Sequence, residues 1–426
     1  MMERKTRRQM LRHAGGAIAA LAAFPCFAIA QARPRIVIVG GGFAGASCAR
    51  ALRKIDSKLA VTLVEARRTY TAPPLSAGVF GGIRNLAEQQ FGYDKIAAAG
   101  ITVAMARAAA VEPQARTVTL STGDKVSYDK LVLAPGIEMR FDAISGYDET
   151  AAAQAPHAWT TDGAQYEALH RQLEAMDDGG LVAISAPVDP ARCPPGPYER
   201  ASMIAYYLKT RKPRSKLVIL DSKDSFIMQR LFQDAWQRFY PGLLEWKSIS
   251  SGDNIASIDT VAKKIETDFD SYQYAVANVI PPQVAGKIAA AAGVADRTGW
   301  CPIDPVTFES LLQKDIHVIG DAAFAGAMPK SAFAAAVEGG LCAAAIVNIL
   351  GGRPPAAAKL LSNCYSLIAP DYAISTTTVH QPVNGEYVDV AGSGGASPLE
   401  APPQFRAQEA KFADAWFRSA TAEIFG

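Results

Sequence analysis

The sequence predicts an α/β protein made of two nucleotide-binding-type strand–helix–strand units and a C-terminal α+β domain. Three observations carry this. A β-branched strand runs into a glycine-rich turn at residues 35–45; the strands "LVAIS" (181–185) and "SKLVILD" (215–221) flank the helical "YERASMIAYYLKTRK" (198–212); and a late strand, "DIHVIGDAA" (315–323), ends in Gly-Asp. The 426 residues suffice for two or three domains with buried cores. Hydrophobic content of 49% and charged content of 20% are those of a soluble globular protein.

At the N-terminus, "TRRQML" holds an arginine pair ahead of the apolar run "GGAIAALAAFPCFAIA" and a small-x-small end at Ala28-Ile29-Ala30. This pattern predicts a twin-arginine signal peptide over residues 1–30, cleaved near Gln31, and a protein exported folded to the periplasm. The alternative, a membrane anchor, needs about 20 apolar residues, and the run is short for that. No other uninterrupted apolar stretch predicts a transmembrane segment in the mature chain. The net charge of +2 reflects five basic residues and one acid in that leader; without it, 38 basic residues face 40 acidic ones. Nucleic acid binding and a polybasic membrane patch are therefore not expected. Cys26 leaves with the leader. Cys48, Cys193, Cys301, Cys342 and Cys364 remain, an odd number that allows ten pairings in an oxidising compartment.

The first unit is "RIVIVGGGFAGASCARALRK" (35–54). Gly40, Gly42 and Gly45 form G-x-G-x-x-G, allowing respectively a tight turn, close approach of backbone amides to a pyrophosphate, and close helix–strand packing. The phosphates then rest on a helix N-terminus. Glu65 ends the next strand, "AVTLVE", 20 residues past Gly45, where a carboxylate accepts adenosine ribose hydroxyls. Cys48 reads as a buried helical thiol. Two later segments together favour FAD over NAD, by resemblance to two-dinucleotide-domain flavoproteins. There a segment like "YDKLVLAPG" (128–136), with Gly136 in its turn, marks the crossover out of the FAD domain, and an aspartate like Asp321 in the Gly-Asp strand end lies at the flavin ribityl chain. "MPKSAFAAAVEGGLCAAAIVNIL" (328–350) reads as a helix with its N-terminus toward the flavin pyrimidine ring, Lys330 being counted with the cofactor contacts; such an end favours negative charge.

The second unit, expected over 147–282, lacks the glycine loop. From Ala186 to Tyr198 there are five prolines and one glycine, Gly196. Proline has no N–H to give a phosphate and fixes φ, so NADH is not expected to be the reductant. Asp221 stands where a ribose-binding acid would, and without the loop reads as a relic or a cap.

At these segments the sequence resembles the flavoprotein (FAD) subunit of flavocytochrome c sulfide dehydrogenase. "VGGGFAGA", "YDKLVLAPGIE", "PHAW" (156–159), "RCPPGPYERAS", "AYYLK", "PPQVAGKIA", "GWCPID" (299–304), "HVIGDA", "MPKS" and "CYSLIAP" (364–370) match in order. "RCPPGPYERAS" and "CYSLIAP" are the segments particular to that group. The resemblance implies two Rossmann-like domains of the disulfide-reductase-like flavoprotein class. The FAD-binding domain is discontinuous, 31–146 and 283–354, and residues 355–426 form the C-terminal α+β interface domain. It implies a redox disulfide between Cys193 and Cys364, with Glu199 as acid/base; a carboxylate capping its own helix is the other reading of Glu199. Cys301 also matches, though a buried structural thiol is the reading preferred for it. In well-known members a cysteine before "GG" tethers FAD; here the aligned place is Pro73, and no cysteine occurs between Cys48 and Cys193, so noncovalent FAD is expected.

The activity implied is oxidation of hydrosulfide to zero-valent sulfur or polysulfide through the disulfide and FAD. No C-x-x-C-H occurs, so haem is expected only in a partner, a c-type cytochrome subunit. No metal site is expected. The rivals are a sulfide:quinone oxidoreductase and a non-catalytic electron-transfer flavoprotein whose cysteines staple two domains, a loop closure worth roughly 4–5 kcal/mol. The C-terminal stretch 403–426 reads as a helix whose Phe405, Phe412 and Trp416 pack into the core, part of the face being free to cover the flavin or meet the cytochrome.

Overall fold

Strand β1 (Arg35–Val39) is buried from Ile36 onward, as a strand covered on both sheet faces must be. In a computed structural model describing residues 33–252 and 254–426, β1 pairs in parallel with β2 (Ala60–Glu65) on one side and with β4 (Lys130–Leu133) on the other, while β3 (Thr102–Met105) lies beyond β2. The signal peptide expected over residues 1–30 lies outside the described residues. Between β1 and β2 runs helix α1 (Phe43–Ile55), packed through Ala46, Ala49 and Leu52. Gly40 has φ +101°, and a Cβ there would overlap the Ala134 carbonyl; a Cβ on Gly45 would overlap the Gly40 carbonyl. Only glycine fits this turn.

The chain leaves through Ile137–Met139 and returns through Gln283–Ala285, two short strands that pair antiparallel. Between them lies a second parallel sheet. Its strands are β5 (Leu181–Ala186), β6 (Lys216–Asp221), β7 (Leu244–Lys247) and β8 (Val276–Asn278), in the order β7-β6-β5-β8. Helix α2 (Gly196–Arg211) joins β5 to β6. On returning, β9 (Ile316–Val318) pairs with β4 and completes the first sheet, order β9-β4-β1-β2-β3. Helix α3 (Ala332–Leu350) follows. It is long and apolar enough to cross a membrane, and it packs on α1, where a Cβ on Gly339 would meet the Ala44 carbonyl at 2.5 Å and the Cys48 amide at 2.9 Å.

The C-terminal layer is an antiparallel sheet, β10 (Leu360–Ala369), β11 (Tyr372–Val383) and β12 (Glu386–Asp389), followed by helix α4 (Pro403–Ile424). Trp416 of α4 stacks on Phe43 (6.4 Å) and Phe333 (5.8 Å), and Phe425 stacks on Tyr70 and Phe91 (5.2 Å each). Phe405 and Phe412 depart from the expected core packing: they are 41% and 51% exposed, because α4 has one buried face and theirs is the other. The expected α/β class with a C-terminal α+β layer is what the chain adopts.

Candidate active site

One cavity of about 940 Å³ is lined by residues of all three layers, a size suited to a dinucleotide-sized ligand. Gly40, Gly41, Gly42 and Glu65 line it from the first sheet, and Cys193, Glu199 and Cys364 from the other layers. Glu65 closes the end of β2: its carboxylate accepts from the amides of Gly41 (2.7 Å) and Arg67 (2.9 Å).

The residues present fit FAD. The glycine turn leaves no room for side chains, the N-terminus of α1 carries no side-chain cap, and its first residues face the cavity. That combination suits a pyrophosphate. Gly136 also lines the cavity, with φ +64°. Asp321 lines it too, and its carboxylate accepts from Arg192 Nε at 2.7 Å. Gly45 sits one turn into α1, where it spaces helix from strand. Lys330 departs from expectation. It is not among the cavity-lining residues: its ammonium donates to the carbonyls of Asp321 and Ala323 (2.8 Å each) and lies 3.9 Å from the Trp300 ring centre. Burial pulls its pKa down to about 8. It props up the Gly-Asp turn from behind.

The cysteine loop ends β5 and enters α2. Cys193 has φ +51°, a left-handed conformation uncommon for a residue with a Cβ and costing on the order of 1–3 kcal/mol. Backbone bonds hold it there: its N–H donates to the Lys330 carbonyl and its carbonyl accepts from Gly196, both at 2.7 Å. A side chain on Gly196 would strike Trp159 at 2.6 Å and Cys193 Sγ at 3.1 Å. Cys364 reaches the same cavity from β10. Both are free thiols in this structure. Burial pushes the Cys193 thiol well above its ordinary value; Cys364, Glu199 and Asp321 add to this and Arg192 opposes it. Cys364 is pushed up to about 11 by burial, against hydrogen bonds from Ser331 and Ser362.

Glu199, in the first turn of α2, is buried among these groups. Its carboxylate accepts from the Leu367 amide at 3.2 Å, which ties α2 to β10. Burial raises its pKa to about 7, within the range useful to a general base at neutral pH. Its neighbour Arg200 lines the cavity with a guanidinium 4.6 Å from the Trp159 ring centre. It donates to the carbonyls of His157 and Ala158 (2.9 and 2.8 Å), and its Nε is buried without a partner. Sequence reasoning passed over Arg192, Arg200, Ser331 and Ser362; adjacency to Cys193 and Glu199, and the two-residue strand spacing from Ser362 to Cys364, were the available signals.

Side chains crowd around the end of β6. Asp221, at the end of β6, is fully buried. It accepts from Tyr198 Oη (2.5 Å) and Trp246 Nε1 (2.9 Å) and pairs with Lys223 (2.9 Å). Tyr198 in turn stacks on Phe226 with ring centres 3.7 Å apart. Elsewhere, Cys301 is fully buried, its thiol pushed up to about 12, and Cys48 and Cys342 are buried on α1 and α3. Among the cavity-lining residues, Cys193 and Cys364 are the cysteines; Pro73 also lines it. No cluster of three or more His, Cys, Asp or Glu able to hold a metal occurs among the described residues.

Residues 166–281 match the family model of the central part of the sulfide dehydrogenase (flavocytochrome c) flavoprotein chain, and residues 356–425 match that of flavocytochrome c sulphide dehydrogenase, flavin-binding. Residues 34–173 match pyridine nucleotide-disulphide oxidoreductase. A sulfide dehydrogenase (flavocytochrome c) flavoprotein chain from Chlorobaculum thiosulfatiphilum is 51% identical over 45 residues, 11% of this chain and 94% of that polypeptide. The mitochondrial sulfide:quinone oxidoreductase of Mus musculus is 22% identical over 318 residues, 71% of this chain and 68% of that protein. The sulfide:quinone oxidoreductase structure from Aquifex aeolicus superposes with a TM-score of 0.72 at 18% identity, covering 92% of each chain.

Proposed function

The chain belongs to the flavocytochrome c sulfide dehydrogenase flavoprotein chains, a family of FAD-containing sulfide-oxidising oxidoreductases, and on that premise we propose that it is a periplasmic sulfide dehydrogenase. It oxidises hydrosulfide to zero-valent sulfur or polysulfide through a Cys193–Cys364 disulfide and passes electrons to a c-type cytochrome subunit. The observation that carries this is the meeting of Cys193, Cys364 and Glu199 on one cavity with the Gly40–Gly42 turn and Glu65.

When bound, FAD supplies a two-electron acceptor that releases electrons one at a time. Gly40, Gly42, Glu65, Gly136 and Asp321 would hold it, without a covalent link at Pro73. The protein's own groups do the rest. Hydrosulfide attacks one sulfur of the disulfide, and the other leaves as thiolate. Glu199, with a pKa near 7, takes the substrate proton as carboxylate and is held toward the cysteines by its bond to Leu367.

Anaerobic titration with sulfide tests the reading at the flavin absorbance: bleaching is expected in the native protein and its loss in Cys193→Ser and Cys364→Ser. Normal bleaching in either variant sinks the disulfide mechanism. Flavin that stays with acid-precipitated protein would contradict noncovalent binding. A quinone acceptor is the second reading, favoured by the superposition on the Aquifex aeolicus enzyme; reoxidation by cytochrome c but not by a quinone analogue separates the two.

A further inference from the structure

The two cysteines stand in different polar surroundings. Ser362 and Cys364 lie two residues apart on β10, so their side chains share a face of the strand. That face meets the start of α3, where Ser331 Oγ and Ser362 Oγ are 2.9 Å apart and buried. Ser331 Oγ also accepts from the Ala334 amide at 3.1 Å, which fixes its rotamer, and Ser331 shares the cavity wall with Cys364. Both hydroxyls hold the Cys364 thiol down against the effect of its burial. A hydroxyl hydrogen rotates freely between acceptors. Beside a neutral disulfide sulfur the two serines bond to each other; beside a thiolate both can turn and donate to it. Cys193 instead faces charged groups: the acids Glu199 and Asp321 raise its thiol, the cation Arg192, whose Nε is committed to Asp321, lowers it, and the Arg200 guanidinium interacts with it too. Cys364 shares the Glu199 charge, and the two serines add hydroxyl donors on its side.

Resting on the redox disulfide proposed above, we infer that Ser331 and Ser362 are positioning residues that stabilise Cys364 as the leaving thiolate, so that hydrosulfide attacks Cys193. The bond formed joins the substrate sulfur to Cys193 Sγ as a persulfide. The bond broken is Cys193–Cys364, and its electron pair departs on Cys364. No external oxidant or proton enters this step. A disulfide opens toward the thiol that leaves more readily as its anion, and hydrogen bonds to the charged form lower a thiol's pKa. Sulfane sulfur then sits on the rigid Pro-Pro-Gly-Pro loop, and the electron-donating thiolate sits on β10 beside the start of α3.

Two measurements test the assignment. In the first, holoenzyme under anaerobic conditions receives one equivalent of sulfide, is quenched with iodoacetamide, and its peptides are weighed. A persulfide adduct on the Cys193 peptide and a plain thiol adduct on Cys364 are expected; the reverse pattern overturns the assignment. If iodoacetamide labels both cysteines before sulfide is added, there is no disulfide and the earlier reading falls with it. In the second, the reduced protein is alkylated across pH. Ser362→Ala should lower the Cys364 rate at fixed pH about tenfold, equivalent to one pKa unit, and leave Cys193 unchanged. Ser331→Ala should act likewise and Ser331→Thr, which keeps the helix cap and the hydroxyl, should restore the rate. An unshifted Cys364 profile in both alanine variants overturns the role of the serines.

Discussion

Arg192 Nε donates to Asp321 Oδ2 at 2.7 Å, joining the residue before Cys193 to the Gly-Asp turn that follows β9. Both side chains are about seven-eighths buried, and Arg192 also donates to the Trp159 carbonyl at 2.9 Å. The cysteine loop and the cofactor-binding unit are thus fastened through one ion pair. Removing one partner of a buried pair strands the other charge, at about 3–5 kcal/mol, whereas replacing both with apolar groups is far better tolerated. Asp321→Asn and Arg192→Met should each lower the melting temperature, and Asp321→Leu combined with Arg192→Met should recover much of it. Scanning calorimetry of the three proteins checks this; a double variant worse than the sum of the singles would contradict it.

Glu199 is raised to about 7 by burial. As a base it acts only when ionised, so kcat/KM for sulfide should rise through about pH 7. Glu199→Gln should remove that acid limb and slow the reaction roughly 100-fold or more, the usual worth of a general base. A pH–rate profile checks it; a retained limb assigns the limb to another group.

Glu338 of α3 is also buried, with a pKa raised to about 7, and its carboxylate accepts from the Gly320 amide at 2.6 Å. A folded-state pKa above the unfolded value means that the proton favours the fold. This contribution is fully present below about pH 4.5 and is lost as pH rises through about 7. Glu338→Gln keeps an oxygen for Gly320 and removes the ionisation. It should stabilise the protein at pH 8 by on the order of 2 kcal/mol, with little gain at pH 5. Urea melts at the two pH values measure this.

Gly339 lets α1 and α3 touch, and its missing Cβ has no room beside the Ala44 carbonyl. Gly339→Ala should cost about 1–3 kcal/mol through overpacking. By displacing α1 it should also loosen FAD, read as flavin released into an ultrafiltrate. Tight flavin retention together with unchanged stability would contradict the tight contact.

The first nucleotide-binding unit was legible because its chemistry is local: Gly40, Gly42, Gly45 and Glu65 are fixed by spacing within one strand–helix–strand run. The turn that follows β5 was equally legible as a stiff, proline-rich entry into α2. What stayed hidden depends on partners far apart in the chain. Arg192 finds Asp321, Ser331 finds Ser362, and Glu199 finds Leu367 only once three layers pack together. Lys330 was misplaced because "MPKS" says nothing of direction; its ammonium turns to backbone carbonyls and Trp300. Phe405 and Phe412 were misread because aromatic content does not reveal which face of α4 is covered.

Tyr198, Phe226, Lys223 and Trp246 pack together with the buried Asp221. On the function proposed above, side chains packed at the end of β6 would leave the flavin no purchase on the NAD(P)H pool, and sulfur chemistry at Cys193 and Cys364 would be its source of current.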